Sequence, residues 1–121
     1  MYTISKSFSF DAAHQLHGLP KDHKCSRLHG HTYTVEVYLQ AEALDKHGFV
    51  VDYNELGLLK KYIDERLDHR NLNEVINTAT TAENIARHLY DLCKSWWPEV
   101  VAVTVSETPK TKATYSPSGR F

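Results

Sequence analysis

Histidine is the residue type with the most chemistry to offer here. The chain has eight in 121 residues, and five fall between His14 and His31. His29-Gly30-His31 is the sharpest pattern. On an extended strand, residues i and i+2 project to the same face, so two imidazoles so spaced converge on one point. Gly30 between them lets a ligand or another backbone come close. A third ligand must come from elsewhere. His14 and His17 both follow the first strand, and His14, nearer its end, is the better placed. Three neutral imidazoles around an open fourth position is the usual form of a catalytic zinc site. Without a metal, the same side chains would be hydrogen-bonded core or surface histidines.

Cys25 stands four residues before His29, in Lys24-Cys25-Ser26-Arg27. Cations and a nearby metal favour the thiolate. Cys25 is therefore either a fourth ligand that closes the site or a free base beside it. Lys21, Lys24 and Arg27 make the loop basic, which suits an anion, phosphate above all. Asp68-His69 offers a carboxylate beside an imidazole, the parts of an acid–base relay, or else a plain helix terminus. Glu107 ends an apolar strand on the parity of Val101, Val103 and Val105. Turned inward it needs a partner and could take two parallel N–H donors from a guanidine-like heterocycle edge. Turned outward it is an ordinary solvated strand end. Thr80 and Thr81 read as helix caps, and a helix N-terminus also presents free donors to a ligand. Cys93 falls beside an apolar helix stripe and reads as a buried, inert thiol.

The elements that must hold these groups can be read from periodicity. Tyr2, Ile4, Phe8 and Phe10 alternate with Thr3, Ser5, Ser7 and Ser9, predicting a half-buried strand over Tyr2–Phe10. A second strand over His29–Ala41 has His31, Tyr33, Val35, Val37 and Leu39 on one face. A short extended piece is expected at Phe49–Val51. Asp52 and Glu55 have capping-box spacing, and Leu56, Leu59, Ile63 and Leu67 predict a helix from about Asp52 to Asp68. A second helix starts near Thr80, with Ile85, Leu89, Leu92 and Trp96 as its buried stripe, and stops at Pro98. Val101 to Glu107 and Ala113 to Tyr115 read as further strands. The order strand, strand, helix, helix, strand, strand predicts an α+β fold, an antiparallel sheet with both helices on one face. No device in the sequence protects its two edges, which suggests that edges pair between subunits.

Composition narrows the function classes. The chain is 41% apolar and 24% charged, and residues 1–121 are expected to form one domain. Lys and Arg number 14 against 15 Asp and Glu, so the basic excess of a generic nucleic-acid binder is missing. No apolar run nears membrane-spanning length, and the first residues lack a signal-peptide layout. Two cysteines make no disulfide scaffold, and a reducing cytoplasm is the expected home.

Four segments together resemble the 6-pyruvoyltetrahydropterin synthase family. They are Cys25-Ser26-Arg27-Leu28-His29-Gly30-His31 with Phe10-Asp11-Ala12-Ala13-His14 before it, Leu67-Asp68-His69-Arg70-Asn71-Leu72-Asn73, Thr80-Thr81-Ala82-Glu83-Asn84, and Val105-Ser106-Glu107-Thr108. Three residues separate Cys25 from His29. That short gap resembles the bacterial branch that forms 6-carboxy-5,6,7,8-tetrahydropterin for queuosine, a 7-deazaguanine. Ala79 departs from the family, which often has proline there, and should alter the helix entry more than the chemistry. The resemblance implies the tunnelling fold, in which sheets of three subunits join into a barrel and two trimers stack into a hexamer, with active sites at subunit interfaces.

It further implies zinc on His14, His29 and His31, where it would polarise the substrate's side-chain hydroxyls. Cys25 would be the thiolate base, Asp68 and His69 the relay, and Glu107 the grip on the 2-amino and N3 edge of a pterin, with Thr81 assisting. Lys24 and Arg27 are assigned to the triphosphate on local charge alone. The implied reaction converts 7,8-dihydroneopterin 3'-triphosphate to 6-carboxytetrahydropterin, acetaldehyde and triphosphate, without a redox cofactor. Two other readings stand beside it. One is loss of triphosphate without carbon–carbon cleavage, giving 6-pyruvoyltetrahydropterin. The other is a non-catalytic zinc-stabilised oligomer or pterin-binding protein.

Overall fold

The computed structural model describes residues 1–119. Four strands, β1 (Tyr2–His14), β2 (His29–Ala41), β3 (Val100–Thr108) and β4 (Thr111–Tyr115), form one sheet in the order β1-β2-β3-β4. Every neighbouring pair is antiparallel. Helices α1 (Gly57–Arg66) and α2 (Ala82–Trp96) lie between β2 and β3 in sequence. Both pack on one sheet face, where Phe8, Phe10, Tyr33, Val35, Val37 and Leu39 meet Leu59 and Ile63 of α1 and Ile85 and Leu89 of α2 in one buried cluster. The α+β architecture expected from element order is the one observed.

β1 runs four residues beyond the expected Phe10. Its ladder with β2 continues without a break to His14 opposite His29, and the polar Asp11 falls on the exposed face, where it costs nothing. β3 carries an irregularity: Tyr38 pairs with Ala102 but Leu39 with Val100, which leaves Val101 as an extra residue. An extra residue shifts the alternation. Val100 is thereby buried and Val101 only half-buried, against the simple parity expected for Val101, while Val103 and Val105 keep the core face.

Phe49–Val51 is not a strand. Asp45 accepts the amides of His47 (2.8 Å) and Phe49 (3.0 Å), and donates its own to the Phe49 carbonyl (2.9 Å). The segment closes on itself around Gly48, whose φ of 90° favours glycine, and no partner strand is left for it. The first helix also starts later than Asp52. Asp52 caps a 3-10 turn, Tyr53–Leu56, through the Asn54 amide (2.9 Å), and the α-helix begins at Gly57, a poor helix former. Leu56, Leu59, Ile63 and Leu67 are all buried as their spacing required.

The stripe of α2 is rotated from the expected one. Ala82, Ile85, Ala86, Leu89, Tyr90 and Cys93 are buried, while Leu92 and Trp96 are half-buried. The small residues Ala86 and Cys93 are fully buried, and Leu92 is left at the flank. Trp97, just past the helix, is buried against Trp96 with ring centroids 5.3 Å apart. Tyr62 of α1 and His88 of α2 meet through Oη and Nε2 at 2.8 Å, and burial, opposed in part by Asp91, holds His88 below the ordinary histidine value.

Two outcomes test this packing. Leu89→Ala should lower unfolding stability by about 2–5 kcal/mol in urea, and Leu92→Ala by less than half of that, because only the first opens a buried cavity. A half-buried histidine with a depressed value takes up a proton on unfolding, so the stability it supports is present above pH 6.5 and falls as pH drops below that. His88→Gln should make the loss of stability on acidification below pH 6.5 shallower, read by urea midpoints across pH.

Candidate metal centre and acid–base groups

Antiparallel register builds the histidine cluster. His14 ends β1 directly opposite His29, and His31 follows two residues along β2 on the same face. Their ring centroids lie 4.6 to 5.1 Å apart, and one nitrogen from each falls within 4.8 Å of the others. His14 is buried, and His29 and His31 are half-buried.

Two backbone carbonyls orient the rings. His14 Nδ1–H donates to the Thr80 carbonyl at 2.7 Å, and His29 Nδ1–H donates to the Arg27 carbonyl at 2.7 Å. A carbonyl only accepts, so each neutral ring is fixed with its lone pair on Nε2. Those two Nε2 atoms stand 3.0 Å apart. Glu107 Oε2 lies 3.3 Å from Nε2 of His14 and 3.4 Å from Nε2 of His31. Burial holds His14 and His31 below the ordinary histidine value, against the pull of Glu107, so at neutral pH these contacts are not ion pairs. In the neutral rings the Nε2 lone pairs of His14 and His29 thus face each other, with the Glu107 carboxylate oxygen beside them. That arrangement repels unless a cation takes its centre, and the imidazole set with carbonyl-anchored Nδ1–H groups fits a zinc-type ion.

The Asp68–His69 pair stands on a different part of the frame. After α1 the chain folds against the outer edge of β1, where His69 N–H donates to the Asp11 carbonyl (2.6 Å) and Ala13 N–H to the Arg70 carbonyl (3.0 Å). This covers the end of an edge that the sequence left unprotected. Asp68 Oδ1 accepts the Asp11 amide at 3.0 Å, and Asp68 Oδ2 lies 3.0 Å from His69 Nδ1. The Asp11 amide, and then His69, holds the Asp68 carboxyl below its usual range. His69 has φ 58°, a left-handed conformation uncommon for a residue with a side chain. Its ring remains 78% exposed, so it is free to meet a ligand.

Two clefts join these groups. One, of about 620 Å³, is lined by Asp11, Ala13, Thr32, His69 and Asn71 among others. The other, of about 580 Å³, is lined by Thr34, Ser106, Glu107 and Thr108 among others. Gly30, His31 and Thr32 line both, so a continuous groove runs from His69 past His31 to Glu107.

The remaining residues singled out by sequence are placed less directly. Cys25 is a half-exposed free thiol in a 3-10 turn, Lys24–Ser26, and lines neither cleft. Lys24 and Arg27 are exposed; the Lys24 charge acts on His31, and Arg27 serves through its carbonyl. Thr81 caps α2 by accepting the Asn84 amide at 3.2 Å. Glu107, expected to face a heterocycle, also faces the imidazoles. His17, the other candidate third ligand, is not in the cluster.

Several residues were not anticipated. Thr80, expected as a cap like Thr81, does not cap α2 but holds His14 through its carbonyl, and among the described residues its buried hydroxyl has no hydrogen-bond partner, nor has that of Tyr33 beneath the cluster. The pairing of two threonines was a signal that one caps and the other turns inward. Asn73 takes the Gln15 amide (2.8 Å) and donates to its carbonyl (2.9 Å). Gln15 Nε2 in turn donates to the Ser26 carbonyl at 2.7 Å, and Leu16 N–H to the Cys25 carbonyl at 2.9 Å. The residues just after His14 therefore tie the Asp68–Asn73 segment and the Cys25 loop to one strand end.

This fold and this site have known counterparts. A protein from Bacillus subtilis named 6-carboxy-5,6,7,8-tetrahydropterin synthase is 31% identical over 96% of this chain and 86% of its own length. One from Pyrococcus furiosus, named dihydroneopterin monophosphate aldolase, is 42% identical over 64% of this chain and 62% of its own. The structure of Caenorhabditis elegans 6-pyruvoyl tetrahydropterin synthase superposes with a TM-score of 0.84 at 32% identity, covering 95% of this chain and 94% of that one. Residues 3–118 match the family described as 6-pyruvoyl tetrahydropterin synthase, and the chain belongs to it.

Proposed function

We propose that the protein is a zinc-dependent carbon–carbon lyase that converts 7,8-dihydroneopterin 3'-triphosphate, with one water, to 6-carboxy-5,6,7,8-tetrahydropterin, acetaldehyde and triphosphate. The observation that carries this reading is the groove from His69 past His31 to Glu107, with His31 in its wall and the imidazoles of His14 and His29 converging on His31. A pterin has a flat donor edge at one end and a hydroxylated side chain at the other, and the groove offers matching groups in that order. The name of the Bacillus subtilis relative and the three-residue gap between Cys25 and His29 favour this product.

In this reading His14, His29 and His31 hold zinc, which supplies Lewis acidity to the substrate's side-chain hydroxyls when bound. Glu107 receives the 2-amino and N3 hydrogens and fixes the ring, with Thr81 assisting from the start of α2. Cys25, as thiolate, takes a proton from a side-chain carbon. His69, held by Asp68, moves protons during redistribution into the ring. Lys24 and Arg27, beside Lys21, meet the triphosphate. Cys25 lies outside the groove of its own chain, which supports a site completed by a second subunit. β1 and β4 are the edges through which sheets would join into a trimeric barrel and a hexamer.

A second reading keeps the site but stops at 6-pyruvoyltetrahydropterin. The likeness to the Caenorhabditis elegans protein favours it. Product analysis decides. Zinc-loaded protein incubated anaerobically with the triphosphate should release acetaldehyde in step with a carboxytetrahydropterin, followed by mass. A pyruvoyl product without acetaldehyde supports the second reading, and absence of turnover in a metallated oligomer removes both. Cys25→Ala should keep stoichiometric zinc and lose at least ~10²-fold in rate, as for a removed general base. His29→Ala should lose zinc and activity together, by metal analysis and assay.

A further inference from the structure

Asp11 precedes the cluster by three residues and faces the other side of β1, yet it makes more contacts to the Asp68–His69 pair than sheet pairing requires. Its amide donates to Asp68 Oδ1 at 3.0 Å, and its carbonyl accepts the His69 amide at 2.6 Å. Its own carboxylate is held in turn, because Thr32 Oγ1 donates to Asp11 Oδ1 at 2.5 Å across the β1–β2 ladder. One oxygen of Asp11, one oxygen of Asp68 and a ring nitrogen of His69 all lie within 4.8 Å of one another. Asp11, Thr32 and His69 line the same cleft.

From this geometry we infer that Asp11 is a positioning residue for the acid–base pair, its Thr32-anchored carboxylate keeping the exposed His69 imidazole aimed into the groove. The inference rests on the reading of Asp68 and His69 as a relay. The His69 ring is 78% exposed, and its one side-chain bond among the described residues is to Asp68. A side chain so placed samples rotamers facing solvent unless something else orders it. A second carboxylate, itself fixed to the strand that carries His31 and within 4.8 Å of a His69 ring nitrogen, supplies that order by its placement. The same strand pair then positions both the imidazoles and the relay, so the distance between them is set by one ladder.

The test compares Asp11→Ala, Asp11→Asn and Thr32→Val with the parent in their zinc-loaded oligomers. Asp11 and Thr32 are exposed, so the variants should keep the fold and the zinc content. Asp11→Ala and Thr32→Val should each lower kcat about tenfold with KM unchanged, as for a reacting group left correctly bound but misaimed. Asp11→Asn, which can still accept the Thr32 hydroxyl, should retain more activity than Asp11→Ala. With 15N-labelled histidine, assigned by a His69→Gln variant, the His69 ring signals should broaden and shift in Asp11→Ala and Thr32→Val. Unchanged kcat, or a fall in kcat with unchanged His69 signals, overturns the positioning role. A parent protein that turns over no pterin ends the enzymatic reading, while the His69 signals still decide whether Asp11 orders that ring.

Discussion

The register of β1 against β2 is the constraint on which the site depends. Each strand is 13 residues long, and they pair without a slip from Tyr2 opposite Ala41 to His14 opposite His29. Because side chains alternate, a shift of one residue would move His14 to the other face and leave the β2 pair without its third imidazole. It would also turn Phe8 and Phe10 out of the core, where both are buried. The apolar burial that stabilises the sheet therefore enforces the geometry of the cluster. The three imidazoles require no separate energy to be brought together, and any repulsion among them is borne by that same burial.

Each face of β1 has its own task. The inward face carries Phe8, Phe10, Ala12 and then His14. The outward face carries Asp11, whose main chain takes hold of Asp68 and His69. Beyond the strand, Gln15 and Leu16 reach Asn73 and the Cys25 loop. Motifs far apart in sequence are thus gathered onto one six-residue stretch, residues 11–16, mostly through its main chain. Sub-ångström placement of catalytic groups needs a support of this kind.

Much of the architecture was legible because it rests on period alone. Alternation marked β1 and β2, and spacing of Leu56, Leu59, Ile63 and Leu67 marked α1. What periodicity cannot carry is where the chain bends back on itself. The Asp45 turn that consumes Phe49–Val51, the extra residue at Val101 and the rotated stripe of α2 all depend on a neighbour's shape or on one side-chain oxygen. For the site, His-x-His spacing pointed to convergence, and nearness to the strand end favoured His14 over His17 as the third. The Thr80 carbonyl, the Asn73 clasp and the Asp11 contacts left no local signature, since main-chain partners are chosen by tertiary packing and not by residue type.

The left-handed backbone at His69 has a meaning for how this chain could be stabilised. A side chain in that conformation carries a local cost of about 1 kcal/mol or more that glycine would avoid. A search for greater thermal robustness would therefore favour glycine at position 69, and would remove the imidazole in doing so. Relief of the backbone and the imidazole's bond to Asp68 are exclusive alternatives at that single residue.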